Sequence, residues 1–390
     1  MIMKSTELKS LLFLIVFLSF ITFCSISSCA DSESFDWAIT EDSTLFISGE
    51  GIIPPNYHPW EDGNWDDLQE ITSIVFSEGI TEIGDFVINP FTRVQSVSFP
   101  STLKVIGAYN FQAFYNLENV DFPAELTKIS YMSFVHCNKL TSIYIPATVD
   151  EVGYGAFTRC ASLLNIYVDE NNTTYESIDG VLFKTKEVYF EDQDYKTLVC
   201  YPANKNATVY VVPSDVKRTD TGAFAECKSL EEVVLPHGLT YILGSFYDCT
   251  SLCRLTLPET LTGIEPQSFY NCSLLQAVEI PDSVTYMGNS VFPSTTTIIC
   301  SKGSTADVYA QQNGHHVIYK EELKKNTLPV SLTVIEDEAF LESVLETVYI
   351  SDDVTSIGDN AFSKDTIIVC STNSQADFWA RSNGYFVINN

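Results

Sequence analysis

Short runs of alternating apolar and polar residues recur along the chain, most of them closed by proline: NVDFP (119–123), SIYIP (142–146), EVVLP (232–236) and AVEIP (277–281). Alternation with period two is the mark of a half-buried strand. The prolines fall at 100, 123, 146, 213, 236, 258 and 281, with gaps of 23, 23, 67, 23, 22 and 23. Ser77, Pro329 and Ser351 hold the same place in three weaker copies, which makes ten coils. A fixed period of this size predicts a solenoid, because one 23-residue unit cannot bury its apolar side alone. Stacked coils would pair their strands in parallel at ~4.8 Å, with proline ending each strand where no further ladder donor is needed.

Counted from that residue, the same offsets stay apolar in coil after coil. Offset +3 holds Ile80, Leu103, Leu126 and Val149; offset +6 holds Ile83, Ile106, Ile129 and Val152; offset +17 holds Leu117, Leu140 and Leu163. Offset +11 is Phe at 111, 134, 157, 224, 269, 292, 340 and 362. Gly84, Gly107, Gly153, Gly288 and Gly358 recur at +7 and suggest a tight corner.

Cysteine recurs at +14, as Cys137, Cys160, Cys227 and Cys272, with Cys249 one place early in the 22-residue coil. The same offset holds Phe91 and Phe114, so it is filled for burial, and a free cysteine packs as a small hydrophobe. Paired ligands at CxxC spacing are missing, and stacked thiols pointing one way make poor disulfide geometry. Cys249 and Cys253 form the one adjacent pair where a local bridge is conceivable.

Two stretches break the period. The 67-residue gap reads as one coil plus 44 extra residues, with IDGVLF (178–183) and KTLVCYP (196–202) as two strands around an acidic turn, FEDQD (190–194). That turn lacks the spaced ligands and glycine of a calcium loop. Near the end, TIICSKGSTADVYAQQNGHHVIY (297–319) matches TIIVCSTNSQADFWARSNGYFVI (366–388) at a spacing of 70. Each should hold a helix, Ala306–Asn313 in the first with Gly314 as its stop, and should cap an open stack end. His315 and His316 correspond to Tyr385 and Phe386, which points to half-buried cap residues and away from a metal site. At the other end, WAITEDSTLFISGEG (37–51) reads as a hairpin, followed by Pro59-Trp60. The expected layout is a signal peptide (1–30), an N-terminal β cap (31–76), coils (77–168), a β-hairpin insertion (169–212), coils (213–299), a cap and linker (300–325) and a second short array with its own cap (326–390).

Composition narrows the function. Lys and Arg total 21 against 51 Asp and Glu, a formal net charge of −30, which repels phosphate backbones and makes nucleic acid an unsuitable partner. Lys4 and Lys9 precede thirteen uncharged residues (11–23), an export signal too short to span a bilayer comfortably. Ser28-Cys29-Ala30 offers a cleavage site after Ala30, while Ile26-Ser27-Ser28-Cys29 resembles a lipobox that would make Cys29 a lipidated terminus. No later segment is apolar enough to cross a membrane. GxSxG, HExxH, P-loop and dinucleotide fingerprints do not occur, so neither catalysis nor a metal or other cofactor is expected.

SEGITEIGDFVINPF, LPETLTGIEPQSFYNCSLLQAVEIP and IPDSVTYMGNSVF resemble the repeats of BspA-like leucine-rich-repeat proteins. The 37–51 hairpin with its HPW, the YESIDGVLF…LVCYP insertion and the GSTADVYAQQNG cap resemble segments of the same family, so the likeness covers roughly 35–390. It implies a leucine-rich-repeat solenoid, secreted or surface-attached, used for adhesion or ligand binding in bacteria or mucosal protozoa, with no catalytic residues to carry over. The chain departs from the family in showing no evident C-terminal anchor. The expected site is the parallel-sheet face, about 40–50 Å long. Its outward residues include Ser142, Tyr144, Asn165, Tyr167, Asn119, Asp121, Glu232 and Arg254, and also Val234, Glu279, Thr347 and Tyr349. Tyrosines among small polar neighbours suit contact surfaces, and the expected partner is an extracellular protein or glycan. Self-association as a structural surface protein is the alternative, and the 169–212 insertion is the competing location.

Overall fold

Alternating strands followed by a tight return force each coil onto its neighbour, and the computed structural model shows a β-solenoid of about 13 turns of roughly 23 residues. It describes residues 35–58, 68–88, 91–185, 195–323, 328–329, 331–343 and 345–389. Residues 1–34 with Cys29, Pro59-Trp60 and residues 190–194 lie outside the described residues.

The pre-proline runs form a front sheet. Ser73–Phe76, Ser96–Ser98 and Asn119–Val120 pair in parallel, each residue opposite the one 23 places on, as in Ser73↔Ser96↔Asn119. Parallel pairing of the same kind, in separate sheets, joins Ser142–Ile145 to Asn165–Val168, and Val209–Val211 to Glu232–Val234 and Arg254–Thr256. A second set of short strands at offsets +5 and +6, such as Val105–Ile106, Lys128–Ile129 and Glu151–Val152, forms another parallel sheet across the coil. Two residues are too few for periodicity to reveal a strand, so this sheet was not legible in the alternation.

Between the sheets lies the core. The +11 rings stack as Phe111, Phe134 and Phe157, with centroids 5.0 and 5.9 Å apart, and again as Phe224, Phe246, Phe269 and Phe292 at 4.6, 5.0 and 5.0 Å. Each buried ring stabilises the fold by roughly 1.5–3 kcal/mol relative to exposure. Cysteines 137, 160, 227, 249 and 272 are free and buried. Their thiols donate back to the preceding coil, Cys137 Sγ to Phe111 O at 3.3 Å and Cys249 Sγ to Phe224 O at 2.9 Å. Cys253 is free and half-buried, so it makes no bridge with Cys249.

Glycine at +7 has a different cause from the turn expected of it. Gly107 has no positive φ, yet a Cβ there would lie 2.4 Å from Gly84 C and 2.5 Å from Gly84 O. At Gly107 the preceding coil lies so close that a side chain would have to displace the Gly84 backbone. The positive φ falls two residues on, at Tyr109, Met132, Gln267 and Ser290.

The long gap holds more of the repeat than its spacing suggests. Tyr201 occupies the ring column, 5.4 Å from Phe224, and Lys196–Cys200 pairs in parallel with Val216–Thr219. Strand 209–211 opens the next front ladder. Tyr in place of Phe, and Asn204 in place of Cys, hid this coil. The true interruption is a hairpin, Tyr175–Ile178 with Val181–Lys184, joined through Asp179 and Gly180, both at positive φ. IDGVLF is therefore a turn between two strands, as Asp-Gly favours. Its second strand is buried on both faces: Leu182 joins the core cluster on one side, Val181 and Phe183 the cluster on the other. The hairpin is a wall through the solenoid.

Residues 36–39 and 44–48 form the antiparallel hairpin at the N-terminal end. The two duplicated segments each give strand, helix, strand. Helix Thr305–Asn313 is capped by the Ser304 side chain and ends at Gly314 (φ 71°), and Gln375–Ser382 is its counterpart. Lys320–Leu323 is a short helix leading to the second array.

Candidate functional site

Outward positions of the front strands fall into three settings. In the first, Tyr144 and Tyr167 stand opposite each other in register and each is 51% exposed, with Ser142 opposite Asn165 beside them. The Tyr144 hydroxyl donates to Asp169 Oδ2 at 2.6 Å. That bond raises the phenol above its ordinary range and lowers the Asp169 carboxyl, which also accepts from Asn171 N. At neutral pH the pair is therefore a fixed phenol donor on a carboxylate. Asp169 was not among the expected site residues; its place one residue past the strand was the available signal. Asn119 and Asp121 are exposed on the neighbouring coil. Asn165 is half-covered by the wall: a Cβ on Gly180 would lie 2.3 Å from its Oδ1, so only glycine lets the hairpin turn sit there.

In the second setting, beyond the wall, Glu232 and Arg254 are paired in register and bonded to each other, Arg254 Nε to Glu232 Oε2 at 2.7 Å. They lie in a different ladder from Tyr144 and Tyr167, so the expected set splits into two groups. Val209, Val211 and Val234 expose 45%, 64% and 39% around the pair. Val209 and Val211 went unread because their coil did.

The third setting corrects an expectation. Thr347 is 4% exposed, and Tyr349 packs with Ala277, Ile299, Ile318, Ile367, Val369 and Ile388 in one apolar cluster. The outward face of the second array is laid against the outward face at the end of the main stack. Thr347 and Tyr349 are therefore interface residues, and Glu279 is engaged by Lys320 at 3.2 Å. Arg381 of the second cap helix comes within 4.0 Å of Glu232.

The histidines of the first cap are structural. His315 is buried, its Nδ1 3.0 Å from Thr296 O and its ring stacked on Tyr309, whereas His316 is exposed. Among the described residues, no group of three or more His, Cys, Asp or Glu could hold a metal ion. Nor is any described helix long and apolar enough to cross a membrane.

Known proteins share this architecture. A leucine-rich-repeat protein from Eubacterium ventriosum superposes with a TM-score of 0.54 at 23% identity, over 86% of this chain and 93% of its own. The pneumococcal vaccine antigen PcpA does so at 0.54 and 17%, over 91% and 96%. At these identities the likeness is one of fold. No curated protein matches the chain. Six copies of the BspA type leucine rich repeat region match residues 63–186, 200–306 and 245–369. The repeat, its rings and its coil-to-coil register thus have one source: the chain belongs to the BspA-type leucine-rich-repeat family.

Proposed function

We propose that this chain is an exported, non-enzymatic binding protein that engages an extracellular protein or glycan through the open part of its front face, with Tyr144 and Tyr167 as anchor. One observation carries the reading. Two tyrosines stand in register on adjacent strands, half-exposed, with a carboxylate bonded to one of them. Rings on a rigid sheet have little conformational freedom left to lose on binding, which makes them better anchors than scattered acids. The family and the apolar leader at 11–23 support export, and one fold neighbour is named as a vaccine antigen. Whether maturation ends after Ala30 or leaves lipidated Cys29 is decided by radiolabelled palmitate incorporation, which Cys29→Ala would abolish only in the second case.

The test is capture of surface proteins or an immobilised glycan panel by the mature chain from residue 31. Tyr144→Ala/Tyr167→Ala should fold normally and lose that capture. Undiminished capture by the double variant, with loss on altering the 175–184 hairpin, would move the site to the wall.

A second reading, self-association, draws on the two arrays packing outward face to outward face within the molecule. The exposed valines at 209, 211 and 234 are where a second copy would add to that contact. Concentration-dependent sedimentation separates the readings.

A further inference from the structure

A cleft of about 430 Å³ opens between the last coil of the main stack and the end of the first cap helix. Its size lies in the range of small-molecule sites. Tyr270, Asn271, Ser290, Ser294, Thr295 and Asn313 line it, backed by the buried Phe292 and His315. In a chain with 51 carboxylate side chains, no Asp, Glu, Lys or Arg is among the lining residues. The polar groups offered are hydroxyls and amides, which donate and accept without charge.

Its aromatic wall is held from behind. Tyr270 is 45% exposed, and its ring stacks on Tyr247 at 5.2 Å and 15°, with the Arg159 guanidinium 4.4 Å from the Tyr247 ring centroid on that residue. Asn313 is fixed by a bond from Nδ2 to Tyr309 O at 2.9 Å, and His315 by its bond to Thr296 O. A rigid ring beside uncharged hydroxyls and amides matches a ligand with an apolar C–H face and a rim of hydroxyl groups. The net charge of −30 disfavours acidic versions of such a ligand. We propose that this cleft binds a neutral carbohydrate unit, the mono- or disaccharide end of a glycan.

The duplicated cap supplies an internal control. Seventy residues on, Asn383 replaces Asn313 and makes the same bond, Nδ2 to Trp379 O at 2.8 Å, and Tyr385 replaces His315. Ser294, however, becomes Lys364. The Lys364 ammonium donates to Asn383 O at 2.7 Å and lies 4.4 Å from the Tyr385 ring centroid. The second copy thus fills the place with its own cation, and the first keeps it open with a serine. A lysine at 294 has a ready precedent within the same fold.

Saturation-transfer-difference NMR on the mature chain with lactose, maltose, cellobiose and diacetylchitobiose, and sialyllactose as the charged control, tests the site. At least one neutral disaccharide should bind in the millimolar range. Ser294→Lys should weaken it by about tenfold or more at an unchanged thermal midpoint, and Tyr270→Ala should do likewise. Disaccharide binding that Tyr144→Ala/Tyr167→Ala abolishes but Ser294→Lys leaves unchanged would place the sugar on the front face and overturn the proposal. The proposal is overturned if no neutral disaccharide binds, if sialyllactose binds better than all of them, or if Ser294→Lys, folded, binds as the native chain does.

Discussion

The front face at Tyr144–Tyr167 and the front face at Ala277–Ile299 are built on the same kind of parallel coil-to-coil pairing, in separate sheets, and they meet opposite fates. At the first, the outward positions are Ser, Tyr, Asn and Tyr, and the rings stand half in solvent. At the second they are Ala, Glu, Thr and Ile, and Ala277 and Ile299 are buried under the second array. The coil fold dictates which positions point out; two side chains per strand then decide what the face meets. A strand that is apolar on both sides is one that will be covered on both sides. TIIC and IIVC are such strands, and SIYIP is not.

If the difference is confined to outward positions, the inner rungs must be equivalent on both sides of the wall. Phe157→Ala and Phe224→Ala should each cost about 3–5 kcal/mol, the usual loss for a buried Phe truncated to Ala. Urea unfolding midpoints read the effect. A large loss on one side with none on the other would break the equivalence.

The covered face should be worth less than a rung but more than an exposed one. Ile299→Ala removes apolar contact between the arrays and should cost about 2–4 kcal/mol. Its signature is local: amide exchange should rise in 347–349 and 367–370 while the Phe111–Phe157 region stays protected. Uniform exchange increases would mean that the second array is not held through this face.

The thiols probe the shared core. Burial holds Cys137 and Cys249 well above the ordinary thiol range, and Cys249 together with burial does the same for Cys272. In the native chain spanning residues 31–390 an alkylating reagent should label Cys253 first, and the buried five on both sides of the wall only after unfolding. Burial also lifts the cap thiols Cys300 and Cys370 to about 11 from 9.0. An acid whose folded pKa is raised favours the folded state while protonated. This contribution is complete below pH 9.0 and is lost as pH rises through about 11. Thermal midpoints should therefore fall over that window, and less steeply in Cys300→Ala/Cys370→Ala.

The smallest stability effect belongs to the open face. Tyr144→Ala/Tyr167→Ala should change stability by no more than about 0.5 kcal/mol per site, as surface changes usually do, because neither ring is in a core cluster.

Much of this was readable in the chain. Burial of Phe at +11, Cys at +14 and the aliphatic offsets follows from residue type recurring at one spacing, and the cap helix followed from its glycine stop. The hidden coil at 196–212 was not readable, because Tyr201 and Asn204 replace the two residues by which coils are recognised. The glycine at +7 was visible, but its cause, the backbone of the preceding coil, exists only once coils stack. The docking of Tyr349 on the main stack was not visible. Thr347 and Tyr349 were expected as open outward positions, and nothing in periodicity says that another part of the molecule covers them. The cleft beside Ser294 depends on a helix end meeting a coil corner, a juxtaposition that spacing alone does not contain.

Hydroxyl-radical footprinting of the native chain spanning residues 31–390 tests the contrast between the two faces most directly. Tyr144 and Tyr167 should oxidise readily, while Ile299, Ile318 and Val369, at equivalent outward positions, should be protected until the second array is released. Oxidation of Ile299, Ile318 and Val369 at rates matching their exposed counterparts would show an uncovered face along the whole solenoid and contradict the account.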